Sequence, residues 1–400
     1  LAMGVQASRP VSLPVLERGE LNRPGPVVSR GFPQVLCQSP PAIDNRSSGR
    51  LEFARWVGST DNPLTARVMV NRVWQHLFGN GLVRTADDFG ATGELPTHPE
   101  LLDYLAVEFM EQDWSVKRLV RSIVLLRSYR MSSRWDETGF LNDPENRLLW
   151  RMEPKRLEGE AIRDAMLAIS GQLEINPPVG SVVSQAGPAQ VRNGRLVPQN
   201  LAPLLANNNS DSMSTGTAGS AVRQLAELRE TGNLLEAVSP HRSVYLPIVR
   251  DSIPRSLEVF DFAETTIVVA KRETSSTPDQ GLYFLNNTFV LQQAEEMAAR
   301  LIRESNQPNE RIKQAFRLAF GRPASAAELA AALEFYQQFE VDAPATPSTG
   351  RNARSSNRNN NGRLRNPIPS AAQIAEAESL KKLTAVCQAI MASAEFRFVN

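Results

Sequence analysis

Apolar positions recur with helical spacing in two blocks of the chain and lose that spacing between them. In the first block, Asn62-Pro63 places an N-cap before a proline at the first helical position and predicts a helix over 63–78 that ends at Gly79. Thr97 with Glu100 fits a capping box and opens a helix over 99–111, in which Leu101, Leu105 and Phe109 recur every four residues beside Leu102. Ser115 caps a helix over 116–129, where Val116, Leu119, Val120, Ile123 and Val124 form the cleanest amphipathic stripe of the chain. A further helix over 155–170 would carry Leu157, Ala161, Ala165 and Ile169 on one face and stop at Gly171. The second block predicts helices over 288–304, 310–320, 326–339 and 371–395, with Ser325 and Glu328 as a second capping box.

The remaining stretches lack this period. Pro10, Pro14, Pro24, Pro26, Pro33 and Pro40 forbid long helices near the N-terminus and favour an extended strap, with a strand near Val11–Leu16. Between the blocks, Ser243–Arg250 and Thr265–Lys271 are rich in β-branched residues and suggest a small sheet or ribbon, and Ala221–Thr231 suggests a short helix. The fold class expected is therefore mainly α: two packed helical lobes, a small β element in the middle and an extended Pro-rich N-terminal strap. The expected divisions are a strap over 1–48, a helical lobe over 49–175, an irregular region over 176–284 and a C-terminal helical lobe over 285–400. Two polar tracts are expected to be flexible, an insertion near 207–220 and an Asn/Arg-rich loop over 343–369 that interrupts the last lobe.

Composition narrows the function classes. Among 400 residues, 44 Lys and Arg nearly cancel 43 Asp and Glu, so no global basic field argues for nucleic acid, and nucleic acid is not an expected partner. No apolar run reaches the ~18–20 residues of a membrane span. Cys37 and Cys387 are too few for a disulfide framework or a four-cysteine metal site, and whether they pair is left open. Walker, dinucleotide-binding, nucleophile-elbow and haem-attachment signatures are all missing, so no cofactor is expected in this segment.

The candidate chemistry is a polar cluster. Arg67 and Asn71 lie four apart on one helical face, Arg72 follows, and Asp87-Asp88 comes shortly after. The two acids could ligate a metal, or they could sit in a capped turn that receives Arg67 or Arg72. The structural pairing, a polar seam of charge-assisted hydrogen bonds, is the favoured expectation. The triplet Asp88-Phe89-Gly90 echoes a kinase motif, but none of the companion motifs is present. His76, His98 and His241 have no ligand spacing, and no metal is expected. Trp56, Trp114, Trp135 and Trp150 are candidates for glycan stacking, with core packing as the preferred alternative.

Several longer motifs complete the picture: Asn62-Pro63-Leu64-Thr65-Ala66-Arg67, Asn71 to Gly79, Gly81-Leu82-Val83, Asp87 to Gly90, His98 to Asp103, and Asp143-Pro144-Glu145-Asn146-Arg147. Arg156-Leu157-Glu158, Ile162 to Ala165, Arg242 to Pro247, Phe260-Asp261-Phe262 and Leu285-Asn286-Asn287 follow. With these residues the chain resembles a planctomycete-type domain of unknown function, the C-terminal domain of large secreted proteins that often carry an upstream cytochrome c domain. The resemblance spans roughly 10–340 and the last helix, and the tract over 343–369 departs from it. It implies an extracytoplasmic location, in the periplasm or at the cell surface. It implies upstream domains of the same polypeptide as partners, haem c in one of them, and polysaccharide as a further candidate partner. It assigns no activity. The expectation is a non-catalytic binding or structural module of a larger multidomain protein, with a hydrolase acting on surface or extracellular polysaccharide as the second reading.

Overall fold

The computed structural model describes residues 10–37, 43–44, 46–179, 190–192, 195–197, 239–246, 248, 253–340 and 371–399. The expected insertion near 207–220, the short helix at 221–231 and the loop over 343–369 lie outside the described residues. The chain is mainly helical, as the apolar spacing predicts. It divides into two compact units, residues 1–154 and 155–399.

In unit 1, β1 (Leu13–Leu16) and β2 (Pro24–Val28) form an antiparallel hairpin within the expected strap. The short helix α1 (Arg50–Val57) follows, and Phe32 stacks on its Phe53 and Trp56. The body of the unit is α2 (Thr65–Phe78), α3 (Pro99–Glu111) and α4 (Val116–Val124), with the short α5 (Glu137–Asn142) after them. Val70, Trp74 and Phe78 line one face of α2, and they meet Leu102, Leu105 and Phe109 of α3 and Leu119 and Ile123 of α4. Trp74 and Phe78 stack at 4.2 Å, and Tyr129 meets Phe78 edge-on at 5.6 Å. Gly79 ends α2 with φ +90°.

Two local expectations for unit 1 are corrected. The Thr97 hydroxyl does not cap α3: it donates to the Leu82 carbonyl, and His98 occupies the cap position. The α4 helix, capped by Ser115 as expected, stops at Val124 rather than running to 129, because the following residues turn to bring Tyr129 onto Phe78.

Unit 2 opens with β3 (Lys155–Arg156) and α6 (Gly159–Ser170), and β4 (Gln190–Arg192) and β5 (Arg195–Val197) form an antiparallel hairpin. Then come α7 (Arg255–Val259), α8 (Pro278–Asn286), α9 (Thr288–Glu304), α10 (Pro308–Phe320) and α11 (Ala326–Gln338). The chain ends in α12 (Ala371–Ala392), α13 (Ala394–Arg397) and β6 (Phe398–Val399), and β6 pairs antiparallel with β3. Helix α9 is the central rod: its Val290, Ala294, Met297 and Leu301 are fully buried, and it packs on α6 and along α12. Leu383, Val386, Cys387 and Met391 supply the facing stripe of α12.

Helix α6 packs on α9 and so lies in unit 2, although the first expected lobe ran to residue 175. The helix begins at Gly159 rather than 155, and its buried face is rotated from the expected one: Ile162, Met166 and Ile169 are buried on the side that packs on α9 while Ala161 is exposed. Of the expected strand at Ser243–Arg250, the described residues hold a 3-10 turn over Ser243–Tyr245, and Thr265–Lys271 carries no strand. Among the described residues of the middle region, the paired strands are β4 and β5.

Candidate functional site

The polar seam forms around an amide rather than around charges. Asn71 is 0% exposed, and its side chain exchanges two hydrogen bonds with the Val83 backbone, accepting from the N–H at 2.8 Å and donating to the carbonyl at 2.9 Å. The turn before Val83 must therefore pass close to α2. A Cβ at Gly81 would stand 2.4 Å from the Val83 carbonyl and 2.7 Å from the Asn71 amide nitrogen, so only glycine fits. Arg67 does not reach Asp87 or Asp88. Its guanidinium pairs with Asp103 of α3 at 2.6 Å and donates to the Pro63 carbonyl. Among the described residues Arg72 is in no ion pair and Asp87 is exposed.

Asp88 organises its own loop, accepting from the Gly90 N–H at 2.8 Å and the Thr92 hydroxyl at 2.7 Å. These two bonds, the Thr92 bond the stronger, hold its carboxyl below the usual range. The Arg67/Arg72 to Asp87/Asp88 pairing is thus replaced by two separate devices, because α3 rather than the loop packs beside Arg67.

The cleft of unit 1 lies next to this seam. It is open and shallow, with a cavity volume of about 30 Å³, and has Trp74 and Phe78 in its lining. Arg84, His98, Arg147 and Glu153 bring polar groups to it. Arg84 and Arg147 converge on one carboxylate oxygen of Glu145, at 3.1 and 3.0 Å, and Arg147 also approaches Glu94 at 3.7 Å. His98 Nδ1 lies 3.0 Å from the Thr97 hydroxyl.

The segment that supplies Glu145 and Arg147 is held rigidly. Asp143 accepts from the backbone N–H groups of Arg147 and Leu148, its carbonyl accepts from the Trp150 indole, and the buried Asn146 amide donates to the Arg151 carbonyl. The result is a cleft lined by Trp74, Phe78 and two arginines whose guanidiniums share the Glu145 carboxylate. Such a set can recognise a polar or acidic ligand by displacing one arginine from Glu145.

Unit 2 uses the same logic. The Arg163 side chain is 0% exposed and donates to the Ser239 and His241 carbonyls at 2.6 and 3.0 Å. Asp164 accepts from both the N–H and the hydroxyl of Ser243 at 2.7 Å. Arg156 pairs with Asp261 at 2.5 Å, and Asp261 also accepts from the Ser275 hydroxyl and N–H. Burial raises the Asp261 carboxyl, but the bonds from Ser275 and Arg156 outweigh it and leave the group below the usual range. Asn287 caps α9 through the Phe289 N–H.

A model of one protein family matches residues 49–336, most of the chain. The chain belongs to the PSD1 family, proteins of unknown function (DUF1553). No curated protein and no solved structure matches it. The PSD1 segment contains every clamp described above and ends before α12. Several of its motif residues serve the fold: Asn71, Asp143, Asn146, Arg156, Arg163 and Asp164 each tie down a loop backbone or its partner side chain.

Of the tryptophans considered for stacking, Trp56 and Trp114 pack against neighbouring rings and Trp150 is tied to Asp143. Trp135 alone of the four is more than half exposed, at 55%. Both cysteines are free, and burial pushes the Cys387 thiol far up. Of the histidines, His98 lies at the cleft while His241 Nδ1 meets the Asn176 carbonyl. Among the described residues no group of His, Cys, Asp and Glu could hold a metal, and no helix is long and apolar enough to cross a membrane. Sequence reasoning gave no role to Arg84, Glu145, Arg147 or Glu153. The signal that was present is the dense polar run Asp143-Pro144-Glu145-Asn146-Arg147, too ordered in its turn chemistry for a plain linker.

Proposed function

We propose that this chain is a binding module of a larger extracytoplasmic polypeptide, and that the unit 1 cleft is its ligand-contacting surface. The observation that carries this reading is the sharing of Glu145 by Arg84 and Arg147, two arginines that line the cleft with Trp74 and Phe78. The partners proposed are the upstream domains of the same polypeptide, one of them bearing haem c, and polysaccharide. Hydrolysis of polysaccharide is the second reading, favoured by one residue, Glu153, which lines the same cleft. A general acid for that chemistry needs a carboxyl held above its ordinary range. The described carboxylates with a resolved shift all move the other way, Asp88, Asp103 and Asp261 among them.

The test is calorimetric titration of the purified chain with soluble glycans and with the upstream domain. Arg147→Ala is expected to weaken binding at least about tenfold, since a charge-assisted pair contributes about 1.5–3 kcal/mol, with an unchanged melting temperature. A parallel hydrolysis assay decides the alternative: turnover that disappears in Glu153→Gln while the fold persists would replace the module by an enzyme.

A further inference from the structure

Between Trp114 and Trp135 the chain carries six cations and no Asp or Glu. Lys117, Arg118, Arg121, Arg127, Arg130 and Arg134 are all exposed, and among the described residues none of the six is in an ion pair. In a protein of net charge +1 this is a strong local departure. Elsewhere arginines such as Arg67, Arg84, Arg156 and Arg322 are matched to carboxylates.

The unmatched charges are held in place by the core. On α4, Lys117, Arg118 and Arg121 lie opposite Leu119 and Ile123, which are buried against α2 and α3. Beyond α4, Tyr129 packs edge-on to Phe78, and the Met152 N–H donates to the Ser132 carbonyl. Those contacts fix the backbone that bears Arg127, Arg130 and Arg134. Side chains of like charge on one rigid segment repel one another, and a polyanion relieves that repulsion.

We infer that this stripe binds a linear acidic polysaccharide through its sulfate or carboxylate groups. Five of the six cations are arginines, whose planar forks suit carboxylate and sulfate oxygens. The stripe ends at Trp135, whose exposed indole and the neighbouring Phe140 ring, 6.2 Å away, offer a face for a sugar ring. A flat anionic bilayer fits less well. The apolar face of α4 is occupied by the core, and Asp113, Asp136 and Glu137 bound the stripe at both ends. Single-stranded nucleic acid fits less well too: successive bases need rings along the stripe, but Tyr129 is packed on Phe78 and the exposed rings stand only at one end. The inference goes beyond the cleft and stands apart from it: Arg147→Ala probes one and stripe variants probe the other.

The full chain is titrated with heparin as the sulfated probe, polygalacturonate as the carboxylated probe, an oligothymidylate, and vesicles of phosphatidylglycerol with phosphatidylcholine. Binding to at least one of the two glycans is expected, weakening about tenfold or more between roughly 50 and 200 mM salt. The variant Lys117→Gln/Arg121→Gln/Arg127→Gln/Arg130→Gln is expected to lose affinity by a similar factor and to flatten the salt dependence. A charge-matched control, Arg50→Gln/Arg55→Gln/Arg303→Gln/Lys381→Gln, is expected to bind as the parent does. If the fourfold variant fails to fold, Arg121→Gln and Arg130→Gln taken singly are each expected to weaken binding. Failure to bind either glycan overturns the inference. So do an equal loss in the control, no loss in the stripe variants, and tighter binding to the oligothymidylate or the vesicles.

Discussion

Asn71 holds two backbone groups of Val83 out of reach of water. Truncation to alanine leaves a buried N–H and a buried carbonyl with no partner, each costing about 1–3 kcal/mol. Asn71→Ala is therefore expected to destabilise unit 1 by on the order of 3 kcal/mol, read from denaturant unfolding followed by tryptophan fluorescence. An Asn71→Ala protein as stable as the parent would mean the Gly81–Val83 turn is not held by this amide. The face shared by Arg67 and Asn71 was legible in the sequence, because four residues make about one helical turn. Their partners were not. Asn71 reaches the backbone, which carries no sequence signature. Arg67 reaches Asp103, 36 residues away, across a helix pair whose packing no local spacing reveals. The acids at 87 and 88 were nearer in sequence and misleading for that reason. The basic stripe could have been read directly, since six cations without an acid is a pattern of composition alone, but attention to apolar spacing in α4 hides it.

Helix boundaries were legible where caps and stripes agree. Ser325 and Glu328 form the expected capping box at the start of α11. Glu328 does more than cap: Arg322 forks onto it at 2.6 Å and onto Glu395 of α13 at 2.6 Å. The Arg322 bond first, then those from Ser325, hold the Glu328 carboxyl down at about 2. A carboxylate whose folded pKa is depressed stabilises the fold fully above its unfolded value and loses that contribution as pH falls through the folded one. The melting temperature of the parent should thus exceed that of Glu328→Gln above about pH 4.5, the ordinary glutamate value, with the gap closing as pH falls toward 2. A gap that persists at the acid end would assign the effect to packing rather than charge. Elements were missed where the signal is short. Helix α8 opens with Thr277-Pro278, an available start signal, in a stretch read as irregular. The β-branched run at 265–271 shows the opposite failure: propensity without a partner strand makes no sheet.

At the scale of the molecule, each unit has its own core, and that of unit 2 is closed by α12. This helix follows the PSD1 segment, yet Leu383, Val386, Cys387 and Met391 face the fully buried stripe of α9. Residue for residue it belongs to the fold. A chain ending at residue 340 would expose Val290, Ala294, Met297 and Leu301 together, and each large core side chain so exposed forfeits about 1.5–3 kcal/mol. Such a truncation is expected to leave α9 amides unprotected in hydrogen exchange while α2 and α3 in unit 1 keep their protection. Full protection of α9 without α12 would count against this account. The division near residue 154 was not legible, because α6 carries an apolar stripe that fits either lobe, and only packing on α9 assigns it.

The pairing of β3 with β6 has a mechanical meaning. Lys155 stands opposite Val399 and Arg156 opposite Phe398, so the chain enters and leaves unit 2 on neighbouring strands. Tension applied through residues 154 and 400 would load the outermost rung first and peel the pair open one rung at a time, since the rungs of antiparallel strands run perpendicular to them. Unit 2 is thus clasped at its neck. A stretched polypeptide would yield there at low force, before the rod of α9 and α12 felt the load.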